Sequence, residues 1–458
     1  MITARAGLMC VAMRALAAIV IVSLIGCASS SREERPSAQT SSPPRAPAPP
    51  PATPSARRTA GLVRTTTLEP RTFQIRLEDL PPPRETEVRR RPREMPPPQD
   101  ATLRVPAGFE VNVFASELRM PRWLRVTPSG EILVTETRDN RITLLADRDG
   151  DGAADERTVF ADDERGHRLD MPFGMAFAGG FFFVGNQDEV RRWPYREGQR
   201  ALEGEGERIT ELPGGGYRQH WTRNVVASPD GSQLFVSVGS QSNSDPEPLP
   251  RASVQVMGLD GSGRRTFASG LRNPVGLAFH PRTGALWTTV NERDELGDDL
   301  VPDYLAHLEE GQFYGWPWVY LTPDRRDPRL ADRPLPEEAR RTVTPEVLFQ
   351  AHSASLGIAF YDGATFPERY RGSAFVAFRG SWNRRLGTGY GIALVPFDES
   401  GRPRGGYEEF VDGFLLDPAG PEVWGRPVGV AIAPDGSLLF TEETNGRIYR
   451  VQYVGERR

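Results

Sequence analysis

Apolar and polar positions along this chain recur as one unit: a short apolar run, a turn rich in Pro, Asp or Gly, and a second apolar run. Trp123 to Val126 leads through Thr127-Pro128-Ser129-Gly130 into Ile132-Leu133-Val134. The unit returns at Pro172 to Phe177 with Phe181 to Val184, and at Asn224 to Gly231 with Leu234-Phe235-Val236. It returns again at Pro274 to Pro281 with Leu286-Trp287, at Leu356 to Phe360 with Ala374 to Ala377, and at Pro427 to Gly436 with Leu438-Leu439-Phe440. Aligning Leu124, Met175, Val225, Leu277, Ile358 and Val430 gives steps of 51, 50, 52, 81 and 72 residues. Short β segments at a period near 50, with almost no helical periodicity, predict four-stranded antiparallel blades set radially around a channel. The expected fold is an all-β, six-bladed β-propeller over residues 101–458, with insertions in the fourth and fifth blades that supply loops for a site.

The pattern is different before residue 101. Arg5 and Arg14 precede an apolar run, Ala15 to Ile25, too short to span a bilayer, and the run leads into Leu24-Ile25-Gly26-Cys27. This predicts a lipoprotein signal peptide over residues 1–26 and lipidation of Cys27. An uncleaved anchor or an ordinary cleaved signal is the alternative, and each exports the rest of the chain. Ala28 and Ser29 lack the aspartate that retains lipoproteins on the inner membrane, so the expected location is the outer membrane, facing the periplasm. From residue 27 to 100 the chain is rich in Pro, Ser, Thr, Ala and Arg, including Arg89, Arg90, Arg91 and Arg93. It reads as a disordered linker.

Composition narrows the chemistry. The chain has two cysteines, Cys10 in the signal and Cys27 at the lipobox, so the expected domain has no thiol for a disulfide, a nucleophile or a metal. It has no lysine: all 56 basic residues are arginine, which removes Schiff-base chemistry and phosphate-loop lysines. The formal charge of −5 becomes about −11 over residues 101–458 once two arginines of the signal and an excess of four basic residues in the linker are set aside. An acidic domain argues against nucleic acid as a partner.

Several strings point to a family. Gly215-Gly216-Tyr217-Arg218-Gln219-His220-Trp221-Thr222-Arg223-Asn224, Gly270-Leu271-Arg272-Asn273-Pro274, Val290 to Tyr304, Tyr314-Gly315-Trp316-Pro317 and Gly380-Ser381-Trp382-Asn383-Arg384 resemble, in order, those of the quinoprotein glucose/sorbosone dehydrogenases. The resemblance implies pyrroloquinoline quinone (PQQ) and calcium bound over the channel. It implies oxidation of an aldose, a sorbosone-like compound or a related alcohol or aldehyde hydrate by hydride transfer, with electrons passed to an external acceptor. It makes His220, one of five histidines, the base. Neutral imidazole suits that role near pH 7. Arg272 and Asn273 match the family's cofactor-contacting pair, and a quinone with three carboxylates suits bidentate arginine. Arg379, Arg384 and Trp382 are further candidates for the quinone. The calcium ligands, partly backbone carbonyls, fall at about Arg293 and Asp294. Two positions depart from the family: its lysine near the quinone has no counterpart, the position falling near Asp362, and Gln219 stands where an acidic residue precedes the histidine.

A separate signal is Asp147-Arg148-Asp149-Gly150-Asp151-Gly152-Ala153-Ala154-Asp155, with oxygen donors at positions 1, 3, 5 and 9 and glycine at 6, as in a calcium loop. Thr158 replaces the glutamate expected at position 12, so the loop is a partial calcium site or a simple Asp/Gly turn. Two other functions fit a propeller with this sequence: a calcium-dependent lactonase, and a non-catalytic binding module of the cell envelope. The membrane enters only through the lipid anchor.

Overall fold

The computed structural model describes residues 61–86, 91–216 and 220–455. The signal peptide, Cys27, the linker up to residue 60, Arg89, Arg90 and Gln219 lie outside the described residues. The described chain is nearly all β, with one short α-helix, Glu337–Arg340. No helix among the described residues is long and apolar enough to cross a membrane.

Each copy of the sequence unit opens one sheet with a core of four antiparallel strands, and a short fifth strand extends the third and the fifth sheets. The innermost strands are Pro121–Val126, Met175–Ala178, Val225–Ala227, Asn273–Phe279, Ser355–Phe360 and Pro427–Ile432. The second apolar run of each unit is the next strand outward. In Ile132–Glu136, Ala374–Phe378 and Leu438–Glu442 every residue is buried. Sheets pack against both faces of these strands, so they read as continuous apolar runs rather than alternating ones. Leu133, Ile142, Phe160, Phe173, Met175 and Phe182 form one such layer between neighbouring sheets.

Neighbouring sheets are also joined by hydrogen bonds near their inner strands. Thr137 Oγ1 donates to Pro172 O at 2.8 Å, Gly174 N to Arg223 O at 3.1 Å and Asn224 Nδ2 to Val275 O at 3.0 Å. Thr289 Oγ1 donates to Leu356 O at 2.6 Å, Arg426 Nε to Arg379 O at 3.2 Å and Thr441 Oγ1 to Arg122 O at 2.8 Å, the last joining the sixth sheet to the first. The glycine in Pro-Val-Gly follows from this approach. A Cβ on Gly276 would stand 2.3 Å from Leu356 O, and one on Gly429 2.3 Å from Arg122 O. Any side chain there would push two sheets apart. The sixth sheet takes three strands from the C-terminus and its outer strand, Phe109–Ala115, from before the first sheet, so both ends of the domain are fastened in one sheet.

The linker expectation is corrected from residue 61 onward. Arg64–Thr67 pairs in parallel with Thr102–Val105, Thr72–Phe73 extends the fifth sheet, and Arg93–Glu94 pairs with Glu422–Val423. Leu68 is buried, and Ile75, Leu77 and Leu80 pack against the core beside the fourth sheet. Composition misled here because an edge strand of two to four residues needs only a few free backbone groups and an occasional apolar side chain.

Candidate active site

The inner strands begin around a cavity of about 510 Å³. Its wall follows the repeat. Counting back from the aligned apolar residue, the fourth position gives Asn273, Ala354 and Arg426, and the second gives Arg122, Val275 and Leu356, as strand alternation demands. Turns after the second strands add Glu292 and Arg379, and the insertions add Asp294, Asp303 and Trp382.

His220 lies in this wall and is buried. Its Nδ1 is 3.0 Å from Ser240 Oγ, whose own proton goes to Ser242 O at 2.7 Å. Ser240 therefore accepts from Nδ1–H, and the basic lone pair resides on Nε2. Burial, reinforced by the Arg272 charge, holds the imidazole pKa well below its usual value, so it is neutral at pH 7.

Arg272 is held by donating to Asn243 O at 3.1 Å, to Glu292 O at 2.5 Å and to Asp294 Oδ2 at 3.2 Å. Asn383 Nδ2 donates to the other oxygen of Asp294 at 2.8 Å. Burial pushes the carboxyls of Glu292 and Asp303 up to about 7. Asp303 nevertheless accepts from Glu292 N at 2.9 Å and Ala354 N at 2.7 Å, tying the fourth sheet to the fifth.

A second cationic group stands at the junction of the first, fifth and sixth sheets. Arg122 and Arg379 both pair with Glu443, and Arg426 reaches Glu94 at 3.2 Å. Burial raises the Glu443 pKa, but Arg379, Arg122 and Arg426 overrule it and hold the carboxylate down at about 2. The cavity lining thus carries five arginines, at 91, 122, 272, 379 and 426. Facing them are four carboxyls, Glu94, Glu292, Asp294 and Asp303, two of which are only half ionised near pH 7. Among the residues lining the cavity, Arg122 Nε, Thr222 Oγ1 and Asn273 Oδ1 are buried with no hydrogen-bond partner. Buried polar atoms without partners are costly, and here they surround a cavity that an anionic, hydrogen-bonding ligand would fill.

Of the residues expected from sequence, His220, Arg272, Asn273, Asp294, Arg379 and Trp382 line the cavity together. Others do not. Arg384 turns away to pair with Asp299 at 2.6 Å and to cap Asp298 O. The guanidinium of Arg293 is buried against Asp327 at 2.5 Å, and its Nε and Asn243 Nδ2 both occupy the Asp294 carbonyl. Asp362 lies past the far end of the Ser355–Phe360 strand whose near end, Ala354, meets the cavity, so it cannot substitute for the family's lysine. The strand's length separates them.

Asp147, Asp149 and Asp151 are on the outer edge of the first sheet, where their carboxylate oxygens come within 4.8 Å of one another. Asp147 accepts from Gly150 N and Gly152 N, Asp151 from Ala153 N, and Asp155 from Arg148 N. Arg122, Arg426, Glu443 and His352 escaped the sequence reading. The signal for the two arginines was the register of the repeat; for Glu443 and His352 there was none.

The TrAA12-like family model matches residues 103–302 and 337–454, and the glucose/sorbosone dehydrogenase model matches residues 250–379. An uncharacterized protein of Borreliella burgdorferi is 27% identical over 371 residues, covering 77% of this chain and 91% of its own. A pyrroloquinoline quinone-dependent sugar dehydrogenase of Hypocrea jecorina is 24% identical over 403 residues, covering 75% and 88%. The structure of a Trichoderma reesei enzyme of carbohydrate-active family AA12 has the same fold, with a TM-score of 0.64 and 21% identity over 76% of this chain and 98% of that one. This chain belongs to the TrAA12-like family, among the PQQ-dependent glucose/sorbosone dehydrogenase-like proteins.

Proposed function

We propose that the cavity binds PQQ together with calcium and oxidises a sugar or a related alcohol or aldehyde hydrate, passing electrons to an external acceptor. The observation that carries this reading is the arginine-rich, partly unsatisfied lining around His220. Arg122, Arg379 and Arg426 offer fixed positive charge to cofactor carboxylates, a role the missing lysine leaves to arginine. Arg272 and Asn273 orient the quinone from the opposite wall. Bound there, the quinone supplies a hydride acceptor and calcium a Lewis acid beside it. The carboxylates of Glu292 and Asp294 provide oxygen donors for the ion.

The chain's own contribution to chemistry is then proton removal. His220, neutral and with Nε2 as its basic atom, takes the proton of the substrate hydroxyl as hydride leaves the same carbon. Ser240 fixes the ring and its tautomer. The six sheets act as the blades of a propeller whose upper loops form the site, and Cys27 anchors the domain by lipid at the outer membrane.

Adding PQQ and calcium to the purified apo-protein tests the reading. The expected result is a saturable change in the quinone spectrum and dye reduction that depends on an aldose, both lost in Arg272→Ala. A flat titration with no oxidation of a broad sugar panel would overturn it, and hydrolysis of a lactone without quinone would replace it with the lactonase reading.

A further inference from the structure

Residues 84–86 and 91–95 are fastened beside two segments that themselves bear site residues. Arg84 N donates to Leu296 O at 2.6 Å, and Thr86 Oγ1 accepts from Asp298 N at 2.9 Å, just beyond Asp294. Farther along, Arg93 N donates to Pro421 O at 2.8 Å, the Arg93 guanidinium pairs with Glu422, and Met95 N donates to Val423 O at 2.7 Å, just before Arg426. Between the anchors, Arg91, Pro92 and Glu94 line the cavity together with Asp294, His352 and Trp382. Glu94 is tied to Arg426 at 3.2 Å. Upstream, Leu77 and Leu80 pack against the fourth sheet's core, and Leu77 O accepts from Arg325 Nη2 at 2.5 Å. This strap precedes residue 103, where the family-matched region starts. Its described residues are held at both ends, and Arg91, Pro92 and Glu94 are built into the cavity wall.

We propose that the strap sets the size limit of the site. It rests on the oxidoreductase reading above and narrows the substrate to a single sugar ring or a smaller alcohol or aldehyde. Arg91, Pro92 and Glu94 close the side through which the further rings of an oligosaccharide would extend. Pro92 gives that wall a backbone of fixed φ, while Arg91 and Glu94 present a donor and an acceptor to substrate hydroxyls.

Two measurements test this, one of which needs no quinone. In a chain with Cys10 and Cys27 replaced by serine, Ala354→Cys places one thiol in the cavity wall. Its labelling by methyl methanethiosulfonate is compared with labelling by a maleimide carrying a long polyethylene glycol chain. Each rate is taken relative to free cysteine. With the native strap the bulky reagent is disfavoured by at least about tenfold. The Arg91→Gly/Pro92→Gly pair, and separately the anchor pair Thr86→Ala/Arg93→Ala, remove most of that difference. Equal labelling by both reagents in the native chain, or no change in either variant, overturns the wall. The second measurement compares kcat/KM for glucose and maltotriose in quinone-loaded protein. The native strap favours glucose by at least about a hundredfold, and the variants shrink that ratio at least about tenfold. Equal turnover of both sugars by the native chain overturns the size limit. Protein that oxidises neither sugar yet still excludes the bulky reagent refutes the oxidoreductase reading and leaves the wall standing.

Discussion

The Asp147–Asp155 turn brings its carboxylates within a few ångströms of one another and the cavity sets several along its wall, yet the two are built on opposite terms. In the turn, Asp147, Asp151 and Asp155 are satisfied by backbone N–H groups a few residues away, and water reaches the edge of the sheet. The turn holds its shape unaided. In the cavity, charge is buried, the pKa values of Glu292 and Asp303 rise to about 7, and three polar atoms of the lining find no partner. The same residue types therefore serve local folding in one place and leave unmet demand in the other. Proximity of carboxylates is a poor guide to function; burial with incomplete satisfaction is a better one.

The contrast can be broken at its chemical centre. His220→Ala should lower kcat for sugar oxidation by about 10²- to 10⁴-fold while leaving quinone binding, read from the spectrum, within threefold of the parent at about 0.6 kcal/mol. Loss of binding as great as the loss of turnover would make His220 a cofactor ligand instead of a base.

Next in size is Glu443→Gln, which leaves Arg122 and Arg379 buried beside a neutral amide. Chemical denaturation of the apo-protein should show a loss of about 3–5 kcal/mol. The pH dependence has a definite sign. The folded-state pKa of about 2 lies below the ordinary 4.5, so the stabilisation is complete above pH 4.5 and disappears as pH falls toward 2. The variant should lose less stability than the parent between pH 5 and 3. An unchanged slope would mean that Glu443 does not hold the arginines.

Smallest is the effect at the turn. Asp147→Asn/Asp149→Asn should shift stability in calcium-free buffer by no more than about 0.5 kcal/mol and leave quinone affinity unaltered. Calcium-dependent melting of the parent that vanishes in this variant would give the turn a metal and bring the two regions closer in kind.

Much of this was legible in the chain. Six apolar units, most of them closed by turns rich in Pro, Asp or Gly, located every inner strand, because a strand covered on both faces must be apolar throughout. His220, Arg272 and Asn273 could be picked out because the motifs are contiguous. Arg384 and Arg293 could not be assigned correctly, since a guanidinium on a long side chain can turn to either side of its strand or loop. Its partners, Asp299 and Asp327, come from distant turns.

What the sequence determined by itself is the strand inventory, the tight glycine contacts and the residue set around the base, all products of local pattern and short-range sterics. Only the tertiary structure decided which charges share the cavity. Arg122, Arg379, Arg426 and Glu443 come from three sheets, and only their shared burial changes their electrostatics. It also decided the fate of residues 61–86 and 91–100. Their composition resembles a solvated tether, but the open edges of sheets far along the chain offer backbone partners that no local pattern records.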